Sequence, residues 1–393
     1  MRVIRKSVLV AVCVATVVAL MGAGGVRAAS SPKALKATSF TSDFSAMKLL
    51  KPLAKSGKGM IGVLLPETTT SARYTAFDAP YLQKAFQKAG LSSSQYKILN
   101  AQGNTATQKT QAEALMTQGA TVLLVDPIDS GVGAAIESEA HSRGVKVIDY
   151  DRISLGGSRD YYVSFNNVRV GQVIGKGMVS CITDWKVNKP NILVMDGAAT
   201  DNNATLFAQG YNGILKPYFE SEQYIKVGEP AGTWDPPTAL DTFQQQYTAH
   251  PNINAVVTPN DANANAVISA LKTLNIKPRT FPTTGQDAEV TGLQNILTGY
   301  QCMTVYKPIY LEAQASVALA LYLRAGQQPP AGLVNGTTAD SQTHAKVKSV
   351  LLTPVSVNAS NMAKTVVKDG FVKTSDLCLG AAADACLAAG NKP

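Results

Sequence analysis

Val147-Ile148-Asp149-Tyr150-Asp151-Arg152 is the stretch on which the reading of this chain turns. An apolar run, 145–148, breaks into an acid beside an arginine, and the loop signal Gly156-Gly157-Ser158 follows. That pattern predicts a buried parallel strand whose carboxyl end opens into solvent. In open α/β sheets such ends line the ligand crevice. A carboxylate and a guanidinium there can hold one small polyhydroxylated molecule, because the acid accepts from hydroxyls and the arginine donates in a fixed fork. Successive strand residues point to opposite faces, so Asp151 and Arg152 share a ligand only if the chain curls out of the strand at this point. Taken alone, the hexapeptide reads more simply as two solvated loop charges.

Working outward, two periodicities alternate. Strands are predicted over 60–65, 96–99, 122–125, 145–150 and 161–165, and helices over 79–89, 106–117 and 133–142. Gly90, Gly119 and Gly144 stop the three helices. Short β-rich runs between longer helical ones, with glycine after each helix, indicate βαβ units and a parallel sheet. After Phe165 the alternation starts again. Helices are predicted over 168–182, 204–218, 237–249, 262–274 and 290–297, and strands over 191–195, 225–228, 255–258, 281–284 and 302–306. A helix over 309–324 and a late strand over 349–357 complete the pattern.

The expected class is α/β: two doubly wound parallel-sheet lobes joined by a three-crossing hinge, with a cleft between them where ligands prefer to bind. The first lobe is expected to comprise 59–165 plus 308–345, and the second 166–307 plus 346–376. The crossings fall near 165–167, near 307–308 and before Val350. Residues 29–58 read as an N-terminal tether with one docked helical turn, and 377–393 as a tail.

At 393 residues, 45% hydrophobic and 16% charged, the chain is globular and too long for one ordinary core. Arg2, Arg5 and Lys6 precede an apolar run, 8–21, that exits through Gly22-Ala23-Gly24-Gly25-Val26-Arg27-Ala28. Basic head, apolar middle and small-residue exit make 1–28 a secretory signal peptide cleaved after Ala28. An exported protein, periplasmic or extracellular in the cell envelope, is therefore expected. The uncharged stretch 7–26 approaches the roughly 20 residues of a membrane span, so an uncleaved anchor stays open. Removing 1–28 takes four basic residues from a net charge of +9 and leaves +5. No dense Lys/Arg cluster remains, which excludes nucleic acid as a partner on charge grounds.

Cys181, Cys302, Cys378 and Cys386 then remain, and an even number in an exported chain favours disulfides, with three possible pairings. Cys378 and Cys386 close a short tail loop and are the natural local pair, which leaves Cys181 with Cys302. There is no C-x-x-C spacing, and His141, His250 and His344 stand alone. No metal site or cofactor is expected.

The strand-to-helix corners are unusually polar. The first carries Thr68-Thr69-Thr70-Ser71-Ala72-Arg73-Tyr74; later ones carry Asp201-Asn202-Asn203, Trp234-Asp235, Asn260-Asp261, Gln286-Asp287 and Tyr306-Lys307. Helix capping accounts for Asp201, Asp235 and Asp261. It accounts less well for Arg73, Arg152, Asn203, Trp234, Asn260, Asp287 and Lys307 all falling at such corners. Together these supply donors, acceptors and a flat apolar surface, which suits a sugar: its hydroxyls take charge-assisted bonds and its C–H face packs on a ring. Tyr74 and Trp234 are the candidate rings. The sequence has no G-x-S-x-G elbow, H-E-x-x-H or G-x-x-x-x-G-K-[ST] loop, and no catalytic residue is assigned.

Several corner motifs carry a family resemblance. Tyr150-Asp151-Arg152, Val163-Ser164-Phe165-Asn166-Asn167, Asp201-Asn202-Asn203-Ala204, Asn260-Asp261-Ala262, Gly285-Gln286-Asp287-Ala288 and Met303-Thr304-Val305-Tyr306-Lys307-Pro308 occur in consistent order. With them the chain resembles, from about Gly59 to Asp376, the type I periplasmic sugar-binding family of bacterial ABC importers, its D-xylose-binding members in particular. The resemblance implies sugar contacts from Arg73, Arg152, Asn203, Trp234, Asn260, Asp287 and Lys307, with Asp151 beside them. It also implies a monomer that delivers a monosaccharide, D-xylose first, to an ABC permease and its ATPase subunit. Tyr74 stands where the family has tryptophan, which leaves the choice among xylose, glucose, galactose and related sugars open. Three other classes fit parts of the pattern: a binding protein feeding a chemotactic or quorum-signalling receptor, a sugar-responsive repressor, and an exported sugar-active enzyme. A repressor would need a helix-turn-helix where this chain has its signal segment.

Overall fold

The computed structural model describes residues 35–391. The expected signal peptide, its cleavage after Ala28 and the start of the tether lie outside the described residues. Residues 35–58 do not form a tether. Two 3-10 turns, Ala37–Ser39 and Ser45–Leu50, lead into α1 (Lys51–Ser56). Leu35, Phe40, Phe44, Met47 and Leu50 are buried in the main core. Burying side chains of this size stabilises by about 1.5–3 kcal/mol each, so this stretch is docked where its apolar spacing suggests only one turn.

The first series runs β1 (Met60–Leu65), α2 (Ala79–Ala89), β2 (Tyr96–Asn100), α3 (Thr105–Thr117), β3 (Ala120–Val125), α4 (Ser130–Ser142), β4 (Lys146–Tyr150) and β5 (Tyr161–Phe165). The second runs α5 (Asn167–Asp184), β6 (Asn191–Val194), α6 (Asn202–Glu220), β7 (Ile225–Gly228), α7 (Pro236–Ala249), β8 (Ala255–Val257), α8 (Asp261–Thr273), α9 (Val290–Thr298) and β9 (Thr304–Tyr306). The chain then forms α10 (Ile309–Arg324), β10 (Gly336–Ala339), β11 (Lys346–Leu352), β12 (Val355–Val357), α11 (Thr374–Leu377) and α12 (Ala383–Ala388).

Local chemistry sets the helix starts. Asn104, Asp129, Asn166, Asp201, Asp235 and Asn260 each accept a backbone N–H from the first turn of the helix that follows, a bond worth about 1 kcal/mol. The sequence suggests capping for Asp261 too, but Asn260 takes that role. Asp261 is instead fully buried and accepts from Gln301 Nε2 at 2.7 Å and Thr304 Oγ1 at 2.8 Å.

The first sheet has the order β10-β11-β5-β4-β3-β1-β2, parallel except for the β10–β11 hairpin. The second begins as β7-β6-β8. Residues 282–285 extend it, since Val256 N–H donates to Pro282 O, Cys302 N–H to Thr283 O and Val305 N–H to Gly285 O. β9 and antiparallel β12 finish it. The chain passes between sheets after β5, after β9 and after β11, which gives the three crossings.

The third crossing corrects the expected boundary. β11 pairs with β5 from Ser349↔Tyr162 to Leu352↔Phe165, so the first lobe keeps the chain through Leu352 rather than releasing it at 346. The single late strand is two, broken at Thr353-Pro354, because proline has no N–H for the ladder. The hairpin strand β10 carries too little apolar alternation to be seen in the sequence.

In the second lobe α5 and α6 cross closely. A Cβ on Gly171 would stand 2.0 Å from Phe207 O, and one on Gly210 would stand 2.3 Å from Val168 O, so only glycine fits at this crossing. Both expected disulfides form, Cys181–Cys302 and Cys378–Cys386, with Cα separations of 6.0 and 5.2 Å. Leu377 and Cys386 are buried, so the tail beyond 376 is packed and not loose.

Candidate functional site

The strand end at the centre of the sequence reading does curl out. Asp151 N–H still donates to Val163 O at 2.9 Å, completing the β4–β5 pairing. Asp151 itself has φ +59°, and Arg152 N–H donates back to Tyr150 O at 2.7 Å. This is a γ-turn of positive central φ, a rare and strained form. Strain of this kind persists only where surrounding structure over-determines it, and it collects at ligand sites. The turn puts Asp151 and Arg152 on one side, as sharing a ligand requires.

Arg73, Tyr74, Asp151, Arg152, Asn203, Trp234, Asn260, Asp287 and Lys307 all line a single cavity. Their surroundings differ. Arg73 donates from Nε and Nη2 to both Asp78 oxygens at 3.0 and 2.8 Å, from Nη2 to Glu312 at 3.0 Å and from Nη1 to Asp151 at 2.9 Å. Most of its five donors are thus spent on protein. Arg152 donates from Nη2 to Tyr74 Oη at 2.9 Å. Its Nε lies 3.2 Å from Asp201 Oδ2 and 3.6 Å from Asp126 Oδ1, an ion-pair spacing without an aligned hydrogen bond.

From the second lobe, Asn203 donates Nδ2 to Asp151 O at 3.0 Å and accepts from Asn167 Nδ2 at 2.7 Å. Trp234 donates Nε1 to Asp201 Oδ2 at 3.2 Å and stands edge-on to Phe207, ring centroids 6.5 Å apart. A Cβ on Gly197 would come within 2.3 Å of the indole, so glycine makes room for the ring. Asn260 uses Oδ1 on the Asn263 N–H. Asp287 has φ +94°, and its Oδ1 lies 3.3 Å from Lys307 Nζ, which is also 3.8 Å from Asp151 Oδ1. Lys307 thus sits between one carboxylate from each lobe.

The electrostatics follow from burial and pairing. Burial alone would raise the Asp151 pKa, but Arg73, then Lys307 and Arg152, outweigh it and lower the carboxyl to about 2. Burial, with the Asp151 charge adding to it, pushes Asp126 and Glu312 well above the usual carboxylate range. Asp201 is raised by burial against the pull of Arg152. Each of the three cations therefore has a carboxyl group close by: Arg73 lies 2.8 Å from Asp78, Arg152 3.2 Å from Asp201 and Lys307 3.3 Å from Asp287. Among the described residues lining the cavity, no cation stands without such a partner for an anionic ligand.

Sequence reasoning missed part of this set. Asp201 was legible as a cap and is one, but it also lines the cavity and faces Arg152. Phe207, one helical turn beyond Asn203, and Gln286 line the cavity as well. Asp78 and Glu312 anchor Arg73 from behind. The available signal for Glu312 was that it is the one charged residue in the mostly apolar run 309–321. Asp126 follows the apolar strand β3 just as Asp151 follows β4, and that parallel could have marked it.

Two sheets whose strand ends converge on a polar, aromatic-walled cavity, with three crossings between them, define the hinged class of solute-binding proteins. The chain belongs to the periplasmic binding protein family, whose domain model matches residues 61–328. It is 38% identical over 283 residues to the D-xylose-binding periplasmic protein of Escherichia coli, covering 71% of this chain and 82% of that one. It is 31% identical over 341 residues to a multiple sugar-binding periplasmic receptor of Rhizobium radiobacter, covering 83% and 94%. A solved carbohydrate-transporter solute-binding protein from Chloroflexus aurantiacus, in complex with D-glucose, superposes with a TM-score of 0.71 at 28% identity, covering 80% of this chain and 97% of that one. The chain is a binding protein of this family, not an enzyme.

Proposed function

We propose that this chain is the exported substrate-binding protein of an ABC sugar importer, holding a neutral monosaccharide between its lobes, with D-xylose the first candidate. One observation carries the reading. Hydrogen-bonding groups from both lobes converge on one cavity beside Trp234, Phe207 and Tyr74, and its cations are already balanced by carboxylates. Compensated charges with free lone pairs and amide groups suit hydroxyls, while the rings suit a C–H face. The relative at 38% identity supports D-xylose in particular. Closure of the two lobes around the sugar would create the surface that a permease and its ATPase subunit read, with the protein acting as a monomer. Arg73, Tyr74, Asp151, Arg152, Asn203, Trp234, Asn260, Asp287 and Lys307 are the proposed contacts, and export follows from the signal segment 1–28.

Calorimetry against a panel of pentoses and hexoses tests the reading. Binding of D-xylose more tightly than glucose, galactose or ribose is expected, and no heat from any of them at millimolar concentration would reject it. The receptor-type relative supports a second reading, delivery to a signalling receptor. Co-purification of the sugar-loaded protein with a permease rather than a receptor separates the two.

A further inference from the structure

Arg73 is carried by a change of helical register. Between Tyr74 and Asp78 the backbone winds as a π-turn in which Ala79 N–H donates to Tyr74 O, five residues back. Just before it, Ala76 N–H donates to Ala72 O, four back. An α-helix brings residues three and four apart onto one face, whereas the wider π-turn brings residues five apart together. Arg73 and Asp78 are five apart and form a two-point ion pair. In α register Arg73 would instead share a face with Phe77. That ring points away and stacks on Phe371, centroids 3.9 Å apart, which pins the turn to the C-terminal segment. Asp78 also accepts from Tyr150 Oη, and Glu312 holds Arg73 Nη2 from α10. Arg73, Asp78, Tyr150 and Glu312 are all buried.

We propose that Asp78, seated by the π-turn, and Glu312 are positioning residues that lock the Arg73 guanidinium before any sugar arrives, so that its Nη1 edge alone is turned toward Asp151 and the cavity. The proposal rests on the sugar-binding reading of the cavity. A side chain held in its working geometry beforehand loses no rotamer freedom when ligand binds. That explains why a residue at the cavity wall spends so many of its donors on carboxylates behind it.

A double-mutant cycle on the full chain tests this, with affinity measured by calorimetry for the sugar that the unaltered protein binds. Asp78→Asn should weaken binding by about tenfold or more, and Glu312→Gln, which keeps an acceptor for Arg73 Nη2, should weaken it less. In an Arg73→Ala background, Asp78→Asn should change affinity by less than about twofold. An equal loss with and without Arg73 would show general destabilisation and overturn the proposal. Nitrogen-15 NMR supplies a readout independent of affinity. The Arg73 Nε–H should give a slowly exchanging signal in the sugar-free protein that Asp78→Asn abolishes. Absence of that signal from the unaltered protein overturns the locking. If no sugar binds at all, the sugar reading fails on its own and the Nε–H signal still decides how Arg73 is held.

Discussion

Asn203 Nδ2 donates to the backbone carbonyl of Asp151 at 3.0 Å, joining the first turn of α6 to the γ-turn beyond β4. The two residues belong to different lobes, so this bond spans the cleft. Asn167 fixes the amide orientation by donating to Asn203 Oδ1.

Asn203→Ala should therefore weaken sugar binding by about tenfold to a hundredfold, the effect of leaving buried partners unpaired. Because a ligand drives closure only through its preference for the closed form, the same variant should shift the population toward an open form. Small-angle scattering checks this. The radius of gyration should fall when sugar saturates the unaltered protein, and the sugar-free variant should be at least as large as the sugar-free parent. No change on saturation would mean a rigid cleft.

Trp234→Ala and Tyr74→Phe are expected to act for different reasons. The first removes a half-buried ring beside Phe207, a loss of about 1–3 kcal/mol of apolar contact with the sugar. The second keeps the ring but leaves Arg152 Nη2 without its acceptor, at about 1–3 kcal/mol. Thermal shifts separate them. Tyr74→Phe should lower the sugar-free melting temperature as well as affinity, whereas Trp234→Ala should act mainly on affinity.

Glu289 should govern stability in the neutral range. Burial, followed by the Asp287 charge, raises its carboxyl to about 7. A folded-state pKa above the ordinary value of 4.5 gives a contribution that is full below 4.5 and is lost as pH rises through about 7. The loss amounts to about 3 kcal/mol across that window. Glu289→Gln, neutral at every pH, should flatten the slope, as urea denaturation at pH 4.5, 6 and 7.5 would show. Asp151 has the opposite sign. With its pKa near 2, its contribution is present above the ordinary 3.8 and is lost as pH falls through 2.

Replacing Cys181 and Cys302 together with serine should lower stability by about 2–5 kcal/mol, because the bridge closes a long loop, with a sequence separation of 121. Neither cysteine lines the cavity, so sugar affinity should stay within about twofold. A loss of affinity without a loss of melting temperature would contradict this.

Much of the architecture was legible because it is locally encoded. Apolar periodicity and helix-stopping glycines place α2 at Ala79–Ala89 and β5 at Tyr161–Phe165, since backbone geometry repeats every few residues. Polar side chains at strand ends marked nine residues that the fold brings to one cavity, because parallel strand ends gather on one edge. Distant partners were beyond such reading. Whether residues 346–352 join β5 or the other sheet depends on pairing across nearly 190 positions (Leu352 with Phe165), and local pattern carries no record of it. Arg73 reads as a free donor until Glu312, 239 residues away, is seen to hold it. Asp126, Asp78 and Glu312 became part of the site only through packing, because the cost of a buried charge, and hence its role, is set by what folding places beside it.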